Sequence, residues 1–172
     1  MAREKMNRQA IEAAMAGLDG WTLAEGVLRA VLAERNMAER IDLDSAGTGA
    51  WHAGSAPDPR SIAIAARNGI DISGQRARKV HAEDFSRFDL ILGMDHSNVE
   101  TLRAMAPQDA PGQVHLFLDF AGSGNLEVPD PYFGGASGFD DVYRMIRVAS
   151  EAVAERLEAR ASPARGHVSS IT

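Results

Sequence analysis

The sequence predicts an α/β fold in three layers, with a short, mostly parallel sheet flanked by helices. Three observations carry this. Segments with apolar residues at helical spacing alternate along the chain with short apolar runs of strand length. Strands that alternate with helices argue for a parallel sheet covered on both faces. The chain has 172 residues, 45% of them apolar, which is enough for one domain with a substantial core.

Taken in order, residues 6–18, MNRQAIEAAMAGL, read as a helix of good helix formers with Met6, Ala10, Ile11, Ala14 and Leu18 on one stripe. Gly17 and the Asp19–Gly20 pair mark its end. Thr22 followed by Glu25 is a capping-box pattern, and Leu23, Val27, Leu28, Val31 and Leu32 then repeat at helical spacing to about Met37. Residues 40–46 alternate as a strand through Ile41 and Leu43. A long loop, GTGAWHAGSAPDP, leads to a short helix at 60–67, closed by Asn68–Gly69. Residues 70–80 form a linker with a basic run, and 81–88 a helical turn. Residues 89–93, DLILG, are a strand continued into a helix that stops before Pro107. Residues 113–120 read as another strand, 121–135 as a loop, and 139–159 as a last helix with Phe139, Val142, Tyr143, Ile146, Val153 and Leu157 on one face. No strand precedes the helix at residue 23, although the first strand of such folds usually feeds the ligand loop. The expected organisation is an atypical N-terminal helical segment at 1–20, an α/β domain at 21–160 and a flexible tail at 161–172.

The composition excludes several chemistries. The formal charge of −6 disfavours a nucleic-acid partner. The chain contains no cysteine, so disulfides, thiolate metal sites and cysteine nucleophiles are ruled out for it. No apolar run approaches the roughly 18 residues of a membrane span, and the N-terminal stretch lacks a signal-peptide core, so no membrane association and a cytoplasmic location are expected. His52, His81, His96, His115 and His167 share no ligand spacing, and neither a metal nor a cofactor is expected.

Two loops carry candidate chemistry. In EVPDPYFGG, Pro129 and Pro131 stiffen the chain around Asp130, and Tyr132 and Phe133 supply flat surfaces beside it. This suits either a plain turn with a solvent-facing carboxylate or a mounted general acid. In DSAGTGAWHAG, Ser45 and Thr48 can donate hydrogen bonds to a neighbouring loop, and Trp51 can line a pocket or tuck onto the core.

Together and in this order, LAEGVLRAVLAERN, RIDLDSAGTGAWHAGSAPDPR, FDLILGMDHSN and VPDPYFGG resemble the low-molecular-weight protein tyrosine phosphatases over roughly residues 23–159. Arsenate reductases of similar fold are less close at the DPYF loop. The resemblance implies that family's fold and its reaction, hydrolysis of phosphotyrosine monoesters. There a cysteine thiolate attacks phosphorus, an arginine and backbone N–H groups hold the phosphoryl oxygens, and an aspartic acid protonates the leaving phenol. Carried onto this chain, Asp130 is the acid and Trp51, Tyr132 and Phe133 flank the substrate ring. Ser45 supports the phosphate loop, and Asp95 acts from behind the residues that touch substrate.

The pattern breaks ahead of Leu23. The family places an apolar strand there, then a cysteine, five residues, an arginine, and Ser-Pro or Thr-Pro. Read without a gap, Ala14 stands at the cysteine position, Gly20 at the arginine and Trp21 at the serine, and Asp19 adds a negative charge nearby. Asp130 then becomes a vestigial general acid. The expectation is a family member inactive for want of its nucleophile and loop arginine. Two alternatives are a non-catalytic module that binds a phosphoprotein or other protein on the same scaffold, and an N-terminally altered product of an active phosphatase gene. Oligomeric state is not specified.

Overall fold

The computed structural model describes residues 11–14, 20–49, 53–110, 113–129 and 135–161. The elements are β1 (Ile11–Ala14), α1 (Gly20–Glu34), α2 (Pro59–Arg67), α3 (Asp84–Arg87), β2 (Leu90–Gly93), α4 (His96–Met105), β3 (Gln113–Leu116), α5 (Phe117–Phe120) and α6 (Gly135–Ala161). The strands form a parallel sheet in the order β1-β2-β3. Ile11 pairs with Leu90 and Ala14 with Gly93, while Leu90 pairs with Gln113 and Gly93 with Leu116.

All four residues of β2 are buried, and their side chains alternate between two cores. Leu90 and Leu92 join the larger cluster, built from Leu23, Leu28 and Leu32 of α1 and Val142, Ile146 and Leu157 of α6. Ile91 points the other way, into Val80, Phe85, Phe88 and Leu102. A strand buried on both faces is the mark of a helix-covered parallel sheet, so the α/β three-layer expectation holds.

Four sequence expectations need correction. Residues 11–14 are not part of a helix over 6–18, and the N-terminal segment is not helical there; they are strand β1. A strand therefore does precede the first helix, and that helix starts at Gly20 rather than Thr22. Single-residue helix propensities are worth only tenths of a kcal/mol, and a ladder against the buried β2 outweighs them by satisfying backbone groups on both sides of that strand. Residues 41–44 keep the predicted alternation, with Ile41 and Leu43 buried and Asp42 and Asp44 partly exposed, but Ser45 and Ala46 are both buried, and among the described residues 40–46 form no ladder strand. Over 113–120 only the first half is strand; Phe117–Phe120 turn into α5, which buries three large apolar side chains from one short turn.

The helix boundaries have local causes. Asp58 caps α2, accepting from the Arg60 N–H at 2.7 Å, with Pro59 at the first position. The Arg60 guanidinium bonds both Asp58 oxygens and holds that carboxyl below its usual range. Asp58→Ala is expected to lower stability by about 1 kcal/mol in urea unfolding at neutral pH. Because the folded-state pKa is depressed, the stability from this carboxylate is present above its unfolded value and lost as pH falls through the folded one. The difference between parent and variant should therefore shrink on acidification below about pH 4. Gly93 closes β2 because a Cβ there would lie 2.7 Å from the Val99 side chain, so the turn into α4 admits no larger residue. Among the described residues, no helix is long and apolar enough to cross a membrane.

Candidate functional site

The parallel register brings Ala14, Gly93 and Leu116 to one edge of the sheet, the carboxyl edge where open α/β sheets bind ligands. Each strand there feeds a different connection. From Ala14 the chain reaches α1 at Gly20 across residues 15–19. From Gly93 it turns through Met94 and Asp95 into α4. From Leu116 it passes through α5 and then a loop that returns toward Asp130.

Asp95 caps α4. Its carboxylate accepts from the Asn98 N–H at 2.7 Å, in extended backbone geometry. The returning loop is fastened to the same turn. Glu127 Oε1 accepts from the His96 N–H at 2.8 Å, and the Val128 N–H donates to the Met94 carbonyl at 2.9 Å. The Val128 side chain is buried in the larger core. Two backbone-level bonds and one apolar anchor thus hold the chain just ahead of Asp130 against the end of β2.

Ser45 is buried, and its hydroxyl donates to the Glu25 carboxylate. Arg29 bonds the other Glu25 oxygen at 2.6 Å and the Leu43 carbonyl at 2.7 Å. The hydroxyl expected to support a phosphate loop is therefore bonded to α1. The adjoining cavity, lined by Ala24, Leu28, Leu43, Met94 and Phe117, has a volume of only 10 Å³ and admits no substrate. Farther along, Arg78 of the basic run is held between Asp44 at 3.1 Å and Asp84 at 2.9 Å rather than facing a ligand.

Trp51, Asp130, Tyr132 and Phe133 lie outside the described residues. Of the predicted site residues, Ser45 and Asp95 are placed, and both touch the carboxyl-edge machinery indirectly. Glu25 and Glu127, which make the bonds described above, are not among the residues that the sequence singles out. Glu25 was legible only as half of a capping box, and Glu127 carried no sequence signal. No side chain of this chain can supply a thiolate, since cysteine is absent throughout. An acid with no attacking group can protonate a leaving oxygen but cannot displace it.

Comparison with known proteins bears on this arrangement. Residues 21–162 match the family described as low molecular weight phosphotyrosine protein phosphatase. A low molecular weight phosphotyrosine protein phosphatase of Schizosaccharomyces pombe is 42% identical over 123 residues, covering 70% of this chain and 78% of that protein. A low molecular weight protein-tyrosine-phosphatase of Streptomyces coelicolor is 36% identical over 148 residues, covering 81% and 90%. The crystal structure of a protein tyrosine phosphatase from Entamoeba histolytica superposes with a TM-score of 0.81 at 28% identity, over 90% of this chain and 99% of that one.

Proposed function

This chain belongs to the low molecular weight phosphotyrosine protein phosphatase family, and on that premise we propose that it has kept the family scaffold without its covalent chemistry and acts by binding. The observation that carries this is the complete absence of cysteine. The family route passes through a phosphocysteine, and no step of it can begin without the thiolate. The loop arginine is missing as well, and loss of one preorganised oxyanion donor costs about 3–4 kcal/mol of transition-state stabilisation on its own.

In this reading Asp130 is the vestigial acid, and Trp51, Tyr132 and Phe133 form the wall against which an aromatic side chain of a phosphoprotein or other protein partner packs. Asp95 and Ser45 act at one remove, through the α4 cap and through Glu25. Phosphorus NMR of an aryl phosphate incubated with the chain tests the proposal. The ester resonance persists; release of inorganic phosphate that Asp130→Ala abolishes would overturn it.

A second reading has one observation in its favour. The family match covers residues 21–162 and does not extend to the residues ahead of 21. They are then an altered N-terminus of an active phosphatase gene. A reading frame just upstream that encodes an apolar strand with the cysteine-to-arginine loop decides for this second reading, and its absence for the first.

A further inference from the structure

In a protein of net charge −6, most described arginines are matched to carboxylates, from Arg29 with Glu25 on α1 to Arg147 with Glu34 and Glu151 on α6. The exceptions are Arg40 and Arg76, which donate to backbone carbonyls at separate places, and the group Arg103, Arg156 and Arg160. No carboxylate lies within ion-pair distance of these three among the described residues; Arg156 and Arg160 converge with His115 on one aromatic ring, and the charge of Arg103 acts on the same imidazole. The Arg156 and Arg160 guanidinium carbons lie 5.8 Å and 5.1 Å from the Phe120 ring centre. The His115 ring sits 5.7 Å from it, tilted by 48°. Arg103 donates to the Val114 carbonyl at 3.2 Å, which parks its charge beside β3. Phe120 is buried under Arg156 and Arg160, and all three arginines are exposed. The Gly122 backbone, at φ 85°, makes room for Arg156, whose Nη2 would lie 2.9 Å from any Cβ there.

This gathering is repulsive as it stands. Arg156 and Arg160 are like charges four residues apart on a helix, an arrangement that weakens helices. Burial, then Arg160 and Arg103, push the His115 pKa below its ordinary value, against a smaller opposing pull from Asp119. Stacking on Phe120 offsets part of the cost. The remainder is what an oxyanion would relieve, and arginine forks match the oxygens of phosphate and phosphoryl groups two at a time.

We propose that Arg103, Arg156 and Arg160, with His115 and the Phe120 ring, bind a phosphate-class oxyanion. The cluster draws on α4, β3, α5 and α6 and shares no residue with the carboxyl-edge site, so it stands apart from the reading given above. The oxyanion is either free inorganic phosphate or a phosphoryl group carried on a protein segment; the chemistry of capture is the same.

The imidazole of His115 is a built-in reporter. In proton NMR of the full chain, inorganic phosphate added at constant ionic strength against chloride is expected to shift the His115 ring resonances saturably while leaving those of exposed His81 unmoved. The His115 titration midpoint should rise in phosphate, because the bound dianion cancels the repulsion from Arg160 and Arg103. The double variant Arg156→Gln/Arg160→Gln, altered only at exposed positions and checked for fold by its amide spectrum, should bind phosphate at least about tenfold more weakly. A phosphoserine peptide that saturates the site at lower concentration than free phosphate, where its unphosphorylated twin does not, assigns the carried form; equal or weaker saturation assigns the free ion. A His115 response identical in phosphate and chloride, or a saturable response unchanged in the folded double variant, overturns the proposal.

Discussion

Ala14→Cys, Gly20→Arg and Trp21→Ser introduced together should give this chain an aryl-phosphate hydrolase activity about 1,000-fold above that of the parent, while each alone gives none. The reasoning starts from the backbone. Ala14 is the last residue of β1 and is paired with Gly93, and α1 begins at Gly20. A strand end, an interval of residues 15–19 and a helix start therefore have the spacing that the ungapped correspondence asks of the family's cysteine, five residues and arginine. A thiol at position 14 precedes a helix N-terminus, which favours its ionised form. Without a positive charge at position 20, however, the phosphoryl oxygens have no fixed counter-charge, so the single cysteine variant should stay silent. Asp19 adds a negative charge within the same interval of sequence, and adding Asp19→Asn to the triple variant should raise the rate by a further factor of about ten. Release of nitrophenol from the aryl ester reads all of these. Within the active background, Asp130→Ala should lower the rate about 100-fold if the vestigial acid is correctly assigned. A triple variant that folds and stays at background would show that the ungapped correspondence of Ala14 and Gly20 is mistaken.

The parts of this fold that were legible in sequence are those whose signals are local. The β2–α4 unit reads directly from an apolar run followed by a polar cap and a proline stop, and it is found at Leu90–Gly93 and His96–Met105. The end of α2 was marked by Asn68–Gly69, and Gly69 does take the left-handed φ of 74° that such an end requires. The start of α1 differs from the sequence reading because Thr22 and Glu25 have the spacing of a capping box, whereas Glu25 is committed to Arg29 one turn on in α1 and to Ser45 across the structure. The split of 113–120 was hidden because Phe117, Leu118 and Phe120 suit a buried strand and a buried helical turn alike. At the site, the stretch just ahead of Asp130 is fastened by a bond that the sequence does not signal, because the Glu127 bond to the His96 N–H joins residues 31 apart in sequence. Ile-Glu-Ala-Ala was the hardest stretch, since three of its four residues favour helix and only its partner strand makes it β1.

That last point can be put to a decisive test with proline. In a parallel strand, alternate residues direct their N–H groups to the same neighbour, so of Glu12 and Ala13 only one donates into the ladder with β2. Glu12→Pro and Ala13→Pro, made separately, should therefore differ. The one that removes the β2 bond should cost about 3 kcal/mol, or about 6–12 °C in Tm for a chain of this size, and the other distinctly less. Ala13→Val should change stability by no more than about 0.5 kcal/mol, because a branched side chain suits a pleated strand. A helix over the same residues would respond otherwise, with both prolines comparably damaging and valine unfavourable. A segment with no partner would tolerate all three. Thermal unfolding of the three variants beside the parent separates these cases. An equal, severe loss from both prolines would return residues 11–14 to a helix, and with it reopen the vacancy beside β2 whose buried backbone groups must be satisfied by some other strand.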